Sequence, residues 1–168
     1  IFNGTRVAEN WNKVNDNLWF TKWETLFPGV PESWWRRERE EKFTPLHRFN
    51  NDGIFINGQY LQSVGFKDSV TAETYFVDYA KGEVYIGVDP TGKNIEITAY
   101  RQALRRTTAE VHGKQNDGKG PILKGLTFTQ YPDTMVHIEG YYPEKISAEN
   151  EHGKDVVGTV FDNCTFSK

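Results

Sequence analysis

The sequence predicts an all-β chain, and three observations carry that reading. Two lines late in the chain repeat one another: Ile122-Leu123-Lys124-Gly125-Leu126-Thr127-Phe128 and Val160-Phe161-Asp162-Asn163-Cys164-Thr165-Phe166. Each is a short run, a bend at Gly125 or Asn163, and a second run. Side chains alternate along a strand, so Leu126 and Phe128 are expected on one face and Thr127 on the other, with Cys164, Thr165 and Phe166 repeating the pattern. Second, Ile54-Phe55-Ile56 and Gln59-Tyr60-Leu61 flank Asn57-Gly58. An Asn-Gly pair between apolar runs favours a type I′ hairpin, because both turn residues take positive φ. Third, aromatic residues make up 14% of the chain, with Trp 5, Tyr 8 and Phe 11. Rings of this kind suit strands.

A strand, a bend and another strand, repeated so that inward residues stack, is the pattern of a solenoid coil. The repeated lines resemble coils of the right-handed parallel β-helix proteins, the pectate-lyase-like superfamily. The opening Ile1-Phe2-Asn3-Gly4-Thr5-Arg6-Val7 resembles a third coil fragment. The middle of the chain is similar to an excursion in bacterial members: Phe55 to Leu61, Tyr75-Phe76-Val77-Asp78, Val84-Tyr85-Ile86 and Asp89-Pro90-Thr91-Gly92. The expected fold is therefore a partial right-handed parallel β-helix with an inserted small antiparallel β subdomain and one short helix. Residues 1–9 and 100–168 are assigned to the coils, and 10–99 to the insert. The interval from Gly125 to Asn163 exceeds the shortest solenoid repeats of about 20 residues, so the loop 141–155 is expected to carry the excess.

Taken in order, residues 1–7 read as a strand. Asn15-Asp16-Asn17 is a turn, and Leu18 to Trp23 a strand. Pro28-Gly29 breaks the chain. Pro31 to Phe43 reads as the helix, with Pro31 in its first turn and Glu32 against the positive end of its dipole. Its charge run, Arg36 to Lys42, reads as a solvated face. Residues 52–98 are expected to form one small antiparallel sheet. Within it Thr74 to Tyr79 and Glu83 to Val88 are joined at Ala80-Lys81-Gly82. Asp89-Pro90-Thr91-Gly92 has the residue order of a type I turn. Tyr100 to Thr108 is ambiguous, and Gly113 to Gly120 is a polar loop. Met135 to Gly140 is a strand.

A formal net charge of −3 gives no electrostatic reason to expect nucleic acid. No apolar run approaches the length of a membrane span. The single cysteine, Cys164, rules out an internal disulfide. It is expected as a buried, inert thiol on an inward strand position. Asn3-Gly4-Thr5 and Asn163-Cys164-Thr165 fit the glycosylation pattern, but bends are the expected role of both asparagines. No signal-peptide pattern opens the chain. A strand-like run at its first residues suggests a piece of a longer protein, whose open coil at Phe166 would favour self-association.

The sequence contains no strong catalytic motif. His47, His112, His137 and His152 lack metal-ligand spacing, and no nucleophile elbow, phosphate loop or EF-hand occurs. No metal or other cofactor is expected from the residues; Ca²⁺ enters only as something the resemblance implies. His137 and Glu139 lie two apart on one strand, so they share a face opposite Val136 and Ile138. Such a pair can exchange protons or bind hydroxyls. Glycosidase chemistry needs two carboxyls roughly 5–9.5 Å apart, and no spacing selects a pair from Glu139, Glu144, Glu149, Glu151 and Asp155. Tyr141-Tyr142 and Trp34-Trp35 each oblige one ring to face outward, where it can stack on a sugar. If the chain touches sugar, the expected substrate-binding set is His137, Glu139, Tyr141 and Tyr142; the alternatives are an ordinary polar outer face for the first two and rings packed into the core or over an inter-domain seam for the tyrosines.

The resemblance implies a bacterial, secreted or cell-envelope protein acting on polysaccharide or oligosaccharide, of glycoside hydrolase or polysaccharide lyase type. This segment would then be scaffold or substrate-contacting, without the catalytic coils. The alternative is a non-catalytic carbohydrate-binding or structural module.

Overall fold

The computed structural model describes residues 1–30, 44–107, 120–139 and 159–167. The expected helix at 31–43, the loop 141–155 and nearly all of the loop 113–120 lie outside the described residues. Sixteen strands and two short 3-10 turns make up the regular structure of what is described, so the chain is all-β. Its sheets are small and of mixed type. By contacts it divides into two compact units, Thr5–Arg101 and Ile1–Gly4 with Gln102–Lys168.

The unit 5–101 contains two sheets. In the first, β2 (Thr5–Val7), β10 (Ile95–Thr98), β5 (Ile54–Ile56) and β6 (Gln59–Tyr60) lie side by side in that order, all antiparallel. In the second the order is β3 (Asn12–Asn15), β4 (Leu18–Lys22), β9 (Glu83–Ile86), β8 (Thr74–Asp78), β7 (Gln62–Ser63). The β7–β8 pair is parallel, the others antiparallel. The single antiparallel sheet expected over 52–98 is thus corrected: its strands divide between two sheets, and one pairing is parallel. Local turn chemistry fixes which strands are adjacent in sequence, but partner choice is set by burial of long-range neighbours.

Alternation decides which side chains enter the core. In β4 Trp19 and Thr21 turn inward, and in β8 Tyr75 and Val77 do. Trp19, Tyr75 and Val77 join Ile54, Val84, Ile86, Ile95 and Ile97, so both sheets feed one apolar cluster. Full burial of each such side chain stabilises by about 1.5–3 kcal/mol. Trp23 ties the sheets polarly as well, since its indole Nε1 donates to the carbonyl of Thr98 at 3.0 Å. The hairpin between β5 and β6 has the expected turn, with φ of 51° at Asn57 and 81° at Gly58 and with Phe55 opposite Tyr60. The Asp89 turn also forms: its carboxylate accepts from the Thr91 amide at 2.9 Å.

The other unit is built of parallel pairs. β12 (Ile122–Lys124) lies beside β15 (Val160–Asp162), and β13 (Thr127–Thr129) lies between β1 (Phe2–Asn3) and β16 (Thr165–Ser167). β11 (Leu104–Thr107) pairs in parallel with β14 (Val136–Glu139). The two repeated lines therefore run side by side, bend against bend. Gly125 and Asn163 both take positive φ, at 65° and 51°. The Gly125 amide donates to the Asp162 carbonyl at 2.9 Å, and the Thr165 amide to the Leu126 carbonyl at 2.8 Å. Thr129 and Ser167, 38 residues apart, join hydroxyls at 3.0 Å.

Three phenylalanines stack along this register. Phe128 is buried at 2% exposure, with Phe2 5.3 Å away on one side and Phe166 5.2 Å away on the other. Two sequence expectations need correction here. Residues 1–7 are two strands, not one, broken at Gly4. The Gly4 amide donates to Thr129, and a Cβ on Gly4 would sit 2.5 Å from the Gln130 carbonyl oxygen, which leaves room for glycine alone. Cys164 lies in the bend ahead of β16, half-buried, its thiol 3.3 Å from the Leu123 carbonyl. The bend consumes one residue more than the strand pattern allows for, and this lifts Cys164 out of the ladder.

Candidate functional site

A cavity of about 480 Å³ opens in the unit 5–101. It forms where the chain returns from the Pro45 segment and meets the second sheet. Pro45, at φ −58° and ψ 143°, leads into the 3-10 turn Leu46–Arg48. The Phe49 amide closes that turn on the Leu46 carbonyl at 3.1 Å, and the Phe49 ring is buried at 1% exposure. Burying Phe49 fixes the next residues, Asn50 and Asp52, against the tyrosines of β8 and its end. Arg48 donates to the Gln62 side chain at 2.7 Å and Ser63 donates to the His47 carbonyl at 3.3 Å, which hold the turn beside β7.

Asp52 is the structural keystone of this region. Its carboxylate accepts from the backbone amides of Leu26 at 3.0 Å and Phe27 at 3.2 Å, and from the Thr98 hydroxyl at 3.3 Å. The Thr98 hydroxyl in turn accepts from the Gly53 amide at 3.1 Å. The Tyr75 hydroxyl donates to the Asp52 carbonyl at 2.5 Å. Burial pushes the Asp52 carboxyl above its ordinary range, and the two backbone amides pull against that shift. Both carboxylate oxygens are committed, which is the setting of a structural acid.

Asn50 is buried at 9% exposure and lines the cavity. Its Nδ2 donates to the Tyr79 hydroxyl at 2.7 Å, while its Oδ1 is buried with no hydrogen-bond partner among the described residues. Burial drives the Tyr75 and Tyr79 phenols well above their ordinary range, so both stay protonated. Burial, with the Arg48 charge beside it, pushes the His47 imidazole down, which favours its neutral form. Ser63 reaches the His47 carbonyl and not its ring, so the pair does not have the geometry of an activated nucleophile. Apolar walls come from Leu46, Val64, Phe66 and Phe76, with Phe66 76% exposed at the cavity. The described lining is mostly apolar, with the Asn50 carboxamide tied to Tyr79 through Nδ2, and a recess of this size and character can hold a small molecule.

The sequence-derived residues fall elsewhere. His137 is half-buried on β14, in register with Arg105 of β11. Glu139 is in register with Thr107 on the same strand pair. Tyr141, Tyr142, Trp34 and Trp35 lie outside the described residues. Lys124 lies on β12, which pairs with β15, and its ammonium meets the Asp162 carboxylate at 2.8 Å. Among the described residues no cluster of three or more His, Cys, Asp or Glu side chains is placed to hold a metal ion. No helix among them is long and apolar enough to cross a membrane. Sequence reasoning missed the cavity, because its residues come from scattered stretches and none carries a motif. The one available signal is the polar run Asn50-Asn51-Asp52-Gly53.

No family model, curated protein or solved structure matches the chain significantly.

Proposed function

We propose that the chain is a carbohydrate-contacting segment of a right-handed parallel β-helix protein of the pectate-lyase-like kind, secreted or at the bacterial cell envelope. The observation that carries this reading is the parallel pairing of 122–124 with 160–162 and of 127–129 with 165–167, bend on bend, with Phe2, Phe128 and Phe166 stacked along it. Stacked parallel strands joined through a positive-φ bend are the repeating unit of a solenoid. In such a protein the outward face of a strand is a rigid floor for a glycan. His137 and Glu139 on β14 are the residues proposed to hydrogen-bond hydroxyls, with Tyr141 and Tyr142 stacking on the sugar.

The segment's role in this reading is binding, not cleavage. The buried carboxylate, Asp52, is spent on backbone amides and a threonine hydroxyl. Retaining and inverting glycosidases need two carboxyls free to act on one bond. The whole protein's activity, glycoside hydrolysis or polysaccharide elimination, would lie with other coils.

The test is titration of the intact chain with neutral and acidic plant and algal oligosaccharides, following the His137 imidazole and the backbone amides of β14. Saturable shifts there are expected. Their absence with every glycan would remove the carbohydrate role and leave a structural segment.

A further inference from the structure

We propose that copies of this chain stack head to tail: the free edge of β16 in one copy pairs in parallel with the free edge of β1 in the next, Phe166 against Phe2. The partner at each edge is a second copy of this chain. The inference rests on strand pairing alone and is independent of the carbohydrate reading above.

The sheet β1–β13–β16 has two open sides. Among the described residues, β1 and β16 each pair only with β13. The middle strand is covered, and its ring, Phe128, is 2% exposed. The outer strands are not covered. Thr165, Phe166 and Ser167 are all exposed, as are Phe2 and the preceding Ile1. An unpaired edge presents a row of backbone donors and acceptors, and natural proteins commonly blunt it with a charge or a proline. Phe2-Asn3 and Thr165-Phe166-Ser167 carry neither.

Hydrogen-bond alternation decides the register. The Thr165 amide donates to the Leu126 carbonyl beside β13, and the Gly4 amide, just after β1, donates to the Thr129 carbonyl. Along a strand of a parallel ladder, successive residues bond to opposite sides. The Phe166 amide therefore faces the open side of β16, and the Ile1 carbonyl faces the open side of β1. With Phe166 set opposite Phe2, that amide meets that carbonyl, just as Thr165 meets Leu126 within one copy. The same register puts ring on ring. It repeats the stacking of Phe2 on Phe128 at 5.3 Å and of Phe128 on Phe166 at 5.2 Å. Neither strand has to reverse, because every pairing in this sheet is already parallel. An edge of β16 meeting its own copy across a two-fold axis would run antiparallel and break the ladder. What fits β16 is thus a parallel strand with an aromatic ring in register, and β1 is such a strand. The two edges are different surfaces, so the contact is heterologous and stacking continues from copy to copy.

The experiment is sedimentation of the full chain over a wide concentration range. Short strands make each contact weak, so the parent's average mass is expected to climb toward the millimolar range, and without a plateau, because the contact does not close on itself. Phe2→Glu and Phe166→Glu each destroy one edge and should stay at the monomer mass. Mixed in equal amounts they should give a dimer and nothing larger, since each keeps the edge that the other has lost. Amide exchange supplies a readout free of substitutions. In the parent the Phe166 amide should gain protection as concentration rises, while the Thr165 amide, already bonded to Leu126, should not change. A parent that stays monomeric would overturn the proposal and leave the edge to a strand of other sequence. Self-association of Phe2→Glu equal to that of the parent would also overturn it, because β16 would then be meeting β16. So would two folded variants whose mixture stays monomeric. If a glutamate variant does not fold, the Phe166 exchange decides alone, and protection that ignores concentration contradicts the stack. Failure of every glycan to bind, with stacking intact, would remove only the preceding reading.

Discussion

Phe128 and Phe166 occupy matched positions on neighbouring parallel strands, and their rings stack 5.2 Å apart at an interplanar angle of 12°. Phe2 covers the opposite face of Phe128. The middle ring is sealed and the outer two remain nearly half exposed, at 47% for Phe2 and 49% for Phe166. A ladder of identical side chains in identical register is a direct outcome of repeating the sequence line.

The ladder predicts unequal costs for chemically equal substitutions. Phe128→Ala removes a fully buried ring and should destabilise by about 3–5 kcal/mol. Phe166→Ala should cost far less, about 1 kcal/mol, mainly one aromatic pair. Amide hydrogen exchange at Thr127–Thr129 under denaturant measures both, and equal losses would mean that the middle ring is not sealed.

The hairpin turn predicts a cost of pure backbone origin. A Cβ at Gly58 would meet nothing within 4 Å, yet the residue sits at φ 81°. Gly58→Val should therefore destabilise by about 1–3 kcal/mol through strain and not crowding. Gly58→Asn, which tolerates the left-handed region better, should recover much of that loss in urea denaturation.

Removing the Asp52 carboxylate should be among the costliest single changes in the unit 5–101. Asp52→Ala strands the Leu26 and Phe27 amides and loosens Thr98, and a loss of about 3 kcal/mol or more is expected. All five tryptophans fall within residues 5–101, so tryptophan fluorescence follows this unit directly.

His47 predicts a pH dependence of definite sign. Its folded pKa is depressed below the ordinary 6.5, first by burial and then by Arg48. The unfolded chain therefore binds the proton more readily, and stability present above about pH 6.5 is lost as the pH falls through the lower, folded value. Asp52 acts with the opposite sign, since burial raises its pKa and disfavours the ionised form. The difference between parent and His47→Gln isolates the histidine: urea midpoints at pH 7.5 and 5 should fall more in the parent.

Turns were the most legible part of the sequence. Asn57-Gly58, Asp89-Pro90-Thr91-Gly92, Gly125 and Asn163 declare themselves because positive φ and side-chain-to-backbone bonds are local chemistry. The matched lines 122–128 and 160–166 were legible because a repeat carries its own register. Sheet membership was not. Ile54–Ile56 is apolar at all three positions and Thr74–Asp78 alternates, yet neither pattern names a partner, and only distant strands, β10 with β2 and β9 with β4, sort them into separate sheets. The cavity was illegible for a related reason. His47, Asn50, Phe66 and Tyr79 meet through the 3-10 turn and β8, and no spacing announces an acceptor left without a donor.

The central claim is that 122–129 and 160–167 stack in parallel, in the stated register, and a disulfide trap tests it most directly. Ile122 and Val160 are register partners and both are exposed, at 70% and 45%. With Cys164 first changed to Ser, the pair Ile122→Cys and Val160→Cys should close under mild oxidation, since neighbouring strands lie about 4.8 Å apart and disulfides span about 4.4–6.8 Å between Cα atoms. Closing that loop should add roughly 3–4 kcal/mol of stability. The pair Ile122→Cys and Phe161→Cys, shifted by one residue and so pointing to opposite faces, should stay reduced. Closure of the shifted pair as readily as the matched pair, or failure of the matched pair to close, would contradict the parallel stack and the β-helix reading built on it.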